Sequence, residues 1–249
     1  MEEILIETAA GVMTITLNRP ERKNAFTLEM IDAWADALRN AQGDSDVRAV
    51  IVTGTGDSFC AGIDLSVLKE IDPSPLARME VLTERIHAVS RALRDLDKPV
   101  LAAINGAAVG AGLDMALMCD IRFAARSARM SEGYVKAGLV PGNGGCYLLP
   151  RLIGLPRALE MLLSGRFMEA EEAVRVGLVN RVCEDPALLD ESLAFAQELA
   201  TWSPLVVTTT KRLVYESLQT TLDTSLRLGA TYMGILQSAS SPTGKETTQ

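Results

Sequence analysis

The chain has 249 residues, of which 48% are hydrophobic and 22% charged, with a net charge of −8. That composition supports a sizeable core and excludes a disordered chain, and an acidic surface disfavours nucleic acid as a partner. The acidic start MEEILIETAAG lacks the apolar stretch of a signal peptide, and no apolar run is long enough to span a bilayer.

In chain order, EILIETAAGVMTITLN (3–18) predicts two strands turning at Ala10-Gly11. TLEMIDAWADALRNA (27–41) predicts a helix capped by Thr27, with Met30, Ile31, Trp34 and Leu38 on one face. VRAVIVTGTG (47–56) reads as a buried strand ending in glycines. PLARMEVLTERIHAVSRALRDL (75–96) reads as one long helix with Met79, Leu82, Ile86, Val89, Leu93 and Leu96 at helical spacing. KPVLAAI (98–104) is the next buried strand, and IRFAA (121–125) and ARMSE (128–132) are short ones. Three short helices follow in GGCYLLPRLIG, PRALEMLLSG and EAEEAVRVG, then a strand in LVNRVC. From Pro186 onward the pattern is helical, with Ser203-Pro204 opening one helix and a polar tail from Ser238. This order predicts an α/β core over residues 1–190 and a helical region over 191–249.

Cys60, Cys119, Cys146 and Cys183 fit no CxxC or zinc spacing, so no metal site is expected and free thiols of a cytoplasmic protein are. Two glycine-bearing stretches follow strands, TGTGDSFCAGIDL (53–65) and NGAAVGAGLDM (105–115). Neither is a dinucleotide fingerprint, because Phe59 and Met115 stand where the third glycine belongs. Small-residue loops admit a ligand to the backbone, and a helix N-terminus offers free N–H groups. Two such loops are able to aim one N–H each at a single oxygen. Losing one donor from such an oxyanion hole costs on the order of 3 kcal/mol in the barrier. Asp114 follows the second loop at the head of an apolar run. It either serves the helix dipole alone or faces a ligand.

FCAGIDL, KPVLAAINGAAVGAGLDMALMCDIRFAA, AGLVPGNGGCYLLPRLIG, EEAVRVGLVNRV and LNRPERKNAF resemble, in order, segments of the enoyl-CoA hydratase/isomerase (crotonase) family. The resemblance runs from about residue 4 to 240. It implies a spiral of β-β-α turns and a C-terminal helical region that drives homotrimer or homohexamer formation. It also implies acyl-CoA substrates with no separate cofactor, since coenzyme A is part of the substrate. The thioester oxygen would be held as an enolate by the N–H groups of Ile63 and Ala111. Arg22, Lys23, Asn24 and Ala25 would contact CoA, and Ala61, Ile63 and Asp64 would border it. Without the resemblance, Arg22 and Lys23 would read as a solvated turn.

Departures from the pattern bear on mechanism. Asp114 stands where hydratases carry their first glutamate, as in dienoyl-CoA isomerases, and Tyr134 stands where hydratases carry the second. Gly142 occupies the place of a further aspartate used by those isomerases and by dehalogenating relatives, which makes a dehalogenase a poor fit. A phenol is a weak base at neutral pH but a usable donor or acid. On a strand, Glu132 and Tyr134 would share a face, and Glu132 either supplies the missing carboxylate or points into solvent. The only histidine, His87, borders the apolar face of its helix. The function expected is hydration of an enoyl-CoA or double-bond migration. The alternatives are hydrolysis or C–C cleavage of a β-keto or cyclic acyl-CoA, or a catalytically silent acyl-CoA-binding scaffold.

Overall fold

A computed structural model describes residues 2–240; the later part of the expected polar tail lies outside the described residues. The chain opens as a hairpin in which β1 (Ile4–Ala9) pairs antiparallel with β2 (Val12–Leu17). Ala10 and Gly11, at φ 50° and 79°, make the two-residue turn whose backbone twist suits a hairpin. Helix α1 (Leu28–Gly43) follows, the Thr27 hydroxyl accepting from Met30 N–H and Met30, Ile31, Trp34 and Leu38 facing inward.

One move then repeats. A strand in a large sheet is followed by a short strand in a second sheet, and then by helix. The first turn is β3 (Ala49–Gly54) and β4 (Ser58–Cys60), with α2 (Leu65–Glu70), α3 (Pro75–Glu80) and α4 (His87–Asp95). The second is β5 (Val100–Ile104) and β6 (Ala107–Val109), with α5 (Ala111–Leu117). The third is β7 (Ile121–Ala125) and β8 (Arg129–Ser131), with α6 (Gly145–Ile153) and α7 (Leu155–Ser164). The spiral closes through β9 (Met168–Glu169), α8 (Ala170–Val176) and β10 (Arg181–Cys183). Helices α9 (Leu188–Thr201), α10 (Pro204–Ser217) and α11 (Leu222–Ser240) end it. The sheets run β1-β2-β3-β5-β7-β10 and β4-β6-β8-β9. This is the expected β-β-α spiral. Strands β3 and β5 are sandwiched between neighbours and carry the unbroken apolar runs such strands require.

Three differences from the sequence reading stand out. Strands β4 and β6 lie inside the two glycine stretches, and three residues are too few to show alternation. The long helix is broken by a π-helical turn, Val81–Ile86, between α3 and α4, and Met79 faces solvent. The expected boundary at residue 190 falls inside α9, which packs on β2, β3, β5 and β7 as part of the core.

The corners of the spiral are backbone packed on backbone. A Cβ on Gly106 would lie 2.0 Å from the Asp57 carbonyl oxygen. The Asn105 side chain accepts from Gly54 N–H and donates to the carbonyls of Gly56 and Ser58. Buried Asn24 does the same one layer earlier, accepting from Arg19 N–H and donating to the Thr55 and Ser58 carbonyls.

Helix α10 buries no residue in this chain. Its attachment is polar: Lys211 reaches Asp120 at 2.7 Å, Tyr215 donates to the same carboxylate at 2.8 Å, and Arg212 pairs with Asp97. The Asp120 carboxylate also accepts from Val100 N–H. Leu205, Val206, Val214, Leu226 and Met233 are exposed, while Leu213, Leu228 and Leu236 are half-buried.

Gly106→Ala is expected to cost at least about 2–3 kcal/mol in urea unfolding, because backbone has to move to admit the methyl. Gly43→Ala, where a Cβ meets nothing within 4 Å, should be neutral or stabilising. Equal effects at the two positions would refute the corner argument.

Candidate active site

The site starts where the two glycine stretches meet. Phe26 and Ile63 form a parallel bridge, in which Phe26 N–H donates to the Gly62 carbonyl and Asp64 N–H to the Phe26 carbonyl. That pattern turns the Ile63 N–H to the opposite side. Gly110, at φ 54° and ψ −123°, ends β6 in a conformation open to glycine and starts α5, so the Ala111 N–H is among the helix's free first-turn donors. A Cβ on Gly62 would lie 3.5 Å from Ala111 N, so the loop carrying Ile63 runs directly beside that donor. Gly112 allows the approach, since a Cβ there would meet the Cys60 carbonyl oxygen at 2.3 Å.

The residues expected to line CoA gather on the same side. Lys23 and Asn24 hold positive φ of 53° and 54°, and Ala61 N–H donates to the Lys23 carbonyl. Arg22 is exposed, and Lys23 pairs with Asp57 at the surface, where solvent screens the contact. Ala25 gives its carbonyl to Arg19, and Ala61 is exposed. Asn24 is fully committed to the corner. Asp64 caps α2 through Ser66 and pairs with Arg19 at 3.1 Å. The Ser66 hydrogen bonds, more than the Arg19 pair, bring its carboxyl down to about 2. Asn24 and Asp64 therefore shape this loop pair with side chains already bonded inside the protein.

Asp114, Glu132 and Tyr134 converge. Asp114 and Glu132 are both 0% exposed, so the solvent-facing alternative for Glu132 is excluded. The expected strand geometry is corrected: β8 ends at Ser131, and Glu132 precedes a 3-10 turn, Gly133–Ala137. The turn brings Tyr134 onto Asp114, its hydroxyl donating to Oδ2 at 2.5 Å. Both carboxylates close on the Cα of Gly145, where a Cβ would stand 2.4 Å from Asp114 Oδ1 and 2.9 Å from Glu132 Oε1. Gly145 is a site residue that the sequence reading missed. Its only signal was the doubled glycine ahead of a helix.

Among the described residues, Asp114 Oδ1 and both Glu132 oxygens have no hydrogen-bond donor. Two facing carboxylates are acceptors only, so a single proton between them satisfies what two charges leave orphaned. Burial raises Asp114 to about 6, against the Tyr134 hydroxyl, which favours its charged form. Burial and the neighbouring Asp114 charge raise Glu132 further, to about 9. Burial and the same charge push the Tyr134 phenol up, so it stays a donor. Near neutral pH the pair holds one proton, mainly on Glu132.

His87 borders the site at Gly142, its Nε2 2.7 Å from the Gly142 carbonyl oxygen. Among the described residues no three His, Cys, Asp or Glu side chains are grouped to hold a metal ion. The four cysteines are unpaired, with Cys146 exposed and the others buried. No helix among the described residues is long and apolar enough to cross a membrane.

A family model described as enoyl-CoA hydratase/isomerase matches residues 7–245. The 1,2-epoxyphenylacetyl-CoA isomerase of Escherichia coli is 40% identical over 234 residues, which is 93% of this chain and 89% of that protein. The short-chain-enoyl-CoA hydratase of Clostridium acetobutylicum is 34% identical, over 91% of this chain and 86% of its own length. The crystal structure of an enoyl-CoA hydratase from Bacillus anthracis superposes with a TM-score of 0.85 at 32% identity, covering 94% of this chain and 90% of that one. An enoyl-CoA hydratase/isomerase from Pseudoalteromonas atlantica gives 0.79 at 34% identity, covering 93% and 88%.

The buried pair makes the fold pH-sensitive in a defined direction. Glu132 binds its proton more tightly folded than unfolded, so its contribution to stability is whole below its unfolded value of 4.5 and is lost as pH rises toward 9. Glu132→Gln is therefore expected to unfold at higher urea than the parent at pH 8.5, by on the order of 1 kcal/mol or more, with the gap closing toward pH 5. A gap that is constant with pH would show that Glu132 is not the proton holder.

Proposed function

The chain belongs to the enoyl-CoA hydratase/isomerase family, and on that premise we propose a mechanism for its own residues. The chain is a hydratase/isomerase-type enzyme acting on an acyl-CoA thioester. The observation that supports the residue assignment is the approach of the Ile63 loop to the Ala111 N–H, one helical turn before Asp114 of the buried acid pair. The thioester oxygen accepts from Ile63 N–H and Ala111 N–H, the second at the positive end of α5. These donors are strongest for the enolate oxygen, because its charge is greatest after a proton leaves the α- or γ-carbon or water adds at C3. The Asp114 carboxylate takes the proton, from an allylic carbon in double-bond migration or from the attacking water in hydration. Glu132 carries the proton that is returned to carbon. Tyr134 holds Asp114 by its hydroxyl and so fixes which oxygen is free.

Hydrolysis driven by Tyr134 as an independent acid loses support, because that hydroxyl is already bonded to Asp114 and its ionisation is pushed away from neutrality. Arg22 and Lys23, beside the loop pair, are the basic groups for CoA phosphates, with Ala25 and Ala61 lining the backbone approach and Asp64 shaping it. Coenzyme A arrives as part of the substrate, and the mechanism uses no further cofactor. We also assign a homotrimer or homohexamer, supported by the exposed apolar residues of α10 and α11, and a cytoplasmic setting, supported by the four unpaired thiols.

Asp114→Asn is expected to keep the fold and the affinity for acetyl-CoA while losing turnover by roughly 10²-fold or more. Glu132→Gln should fall similarly, and Tyr134→Phe by less. The measurement is a panel of 2-enoyl, 3-enoyl, dienoyl and cyclic enoyl thioesters followed by mass spectrometry. Wild-type rates in all three variants would overturn the assignment, and CoA-thioester binding with no turnover of any acyl chain would favour a scaffold. Light scattering should report a trimer or a multiple of it, and a stable monomer at micromolar concentration would refute the assembly.

A further inference from the structure

We infer that Asn143 is a further catalytic residue, whose side-chain NH2 donates to the oxygen at C3 of the acyl chain: the attacking water before hydration and the 3-hydroxyl after it. The role rests on the acid-pair mechanism proposed above. Asn143 is 3% exposed, yet its Nδ2 has no hydrogen-bond acceptor among the described residues. The other end of the same amide is occupied, since Ser90 Oγ of α4 donates to Oδ1 at 3.0 Å. That bond fixes which end of the side chain is the carbonyl and leaves the donor end open. A buried NH2 without an acceptor is costly to hold, and most such groups in folded proteins have a partner.

The buried acceptors that lack a donor lie close by. Asp114 Oδ1 and both Glu132 oxygens are without hydrogen bonds among the described residues, and both carboxylates close on the Cα of Gly145. Asn143 stands two residues before Gly145, with Gly144 at φ 112° turning the chain between them. Two trans peptide links keep their Cα atoms within about 7.6 Å. No direct bond joins the amide to the acids, and one bridging oxygen spans about 5–6 Å between two polar groups. Tyr134 occupies Asp114 Oδ2, so Oδ1 is the oxygen left for that bridge. An aliphatic carbon offers nothing to this donor and these acceptors, whereas a water or a hydroxyl accepts from one and donates to the other.

The step balances with no further reactant. Water bonds to C3 and gives one proton to Asp114 Oδ1, while the C2–C3 π electrons pass to the thioester oxygen. The enolate then takes the Glu132 proton at C2, and the pair still holds one proton, now on Asp114. Accepting from Nδ2 holds one lone pair of the water and leaves the other aimed at C3. Double-bond migration moves protons between carbons only and gives Nδ2 nothing to bind, so Asn143 suits this site to hydration.

The test sets hydration of a 2-enoyl-CoA against migration in a 3-enoyl-CoA, using the full chain with Asn143→Leu and Asn143→Ala, two variants that remove the donor with different bulk. Hydration is expected to fall at least about tenfold in both, and migration far less. Affinity for acetyl-CoA, which has no C3, should hold. In crystals of the parent chain an ordered oxygen is expected within about 3.2 Å of both Nδ2 and Asp114 Oδ1. Equal losses of hydration and migration show a merely structural residue and overturn the proposal. So do parental hydration in both variants, a parent that hydrates no 2-enoyl thioester, or no ordered oxygen at Nδ2. Hydration lost in Asn143→Leu but full in Asp114→Asn overturns the acid-pair mechanism instead and leaves Asn143 standing.

Discussion

Two carboxylates buried against each other cannot both be charged, and the rest of the site follows from that constraint. Moving a lone charge into the interior costs several kcal/mol, and a second like charge beside it adds repulsion. Asp114 has the better claim to the charge. It sits in the first turn of α5 and accepts from Tyr134. Glu132 has none of these supports, so the proton stays with it. The arrangement thus yields a base and an acid from two similar groups by environment alone.

The same region shows why so many glycines are needed. Gly106, Gly112 and Gly145 are each sites where a Cβ would strike a carbonyl or carboxylate oxygen within 2.4 Å. Gly106 lets one turn of the spiral rest on the previous one. Gly112 lets α5 descend on β4, which brings the Ala111 donor beside the Ile63 loop. Gly145 leaves the pocket in which the two acids meet. The corner asparagines supply the polar counterpart, since backbone packed this closely has carbonyls that would otherwise lack donors.

Much of this was legible in the sequence where periodicity or turn chemistry spoke. The hairpin at Ala10-Gly11, the Thr27 cap and the buried strands β3 and β5 are local signals, and they folded as read. The glycine loops suggested a pair of N–H donors, but the spiral and the donors' identity as Ile63 and Ala111 came from the family resemblance, because no local pattern encodes how two glycine stretches stack. Strands β4 and β6 were invisible for the same reason: their pairing partners lie tens of residues away, and three residues carry no period. Glu132 illustrates a limit of period counting. Its place was judged by strand alternation, but the strand ended one residue early and a 3-10 turn delivered Tyr134 to Asp114 by another route. The π-helical turn before His87 leaves the helical spacing of Leu82, Ile86 and Val89 almost unchanged, so the helix read as unbroken.

Helices α10 and α11 obey a different logic from the core. A helix tied down by burial turns its apolar face inward, yet α10 faces the core with Lys211, Arg212 and Tyr215 and leaves Leu205, Val206 and Val214 outside. Lys211 and Asp120 are nearly shielded, at 12% and 16% side-chain exposure, and Asp120 also accepts from Val100 N–H and Tyr215. A shielded, multiply bonded carboxylate fixes direction more than it adds stability, because its desolvation offsets much of the attraction. Orientation is thus set within one chain by polar contacts at the Asp97 and Asp120 loops, and the apolar residues stay exposed. An arm built this way adds little apolar burial to its own core, and its direction rests on a few carboxylate contacts.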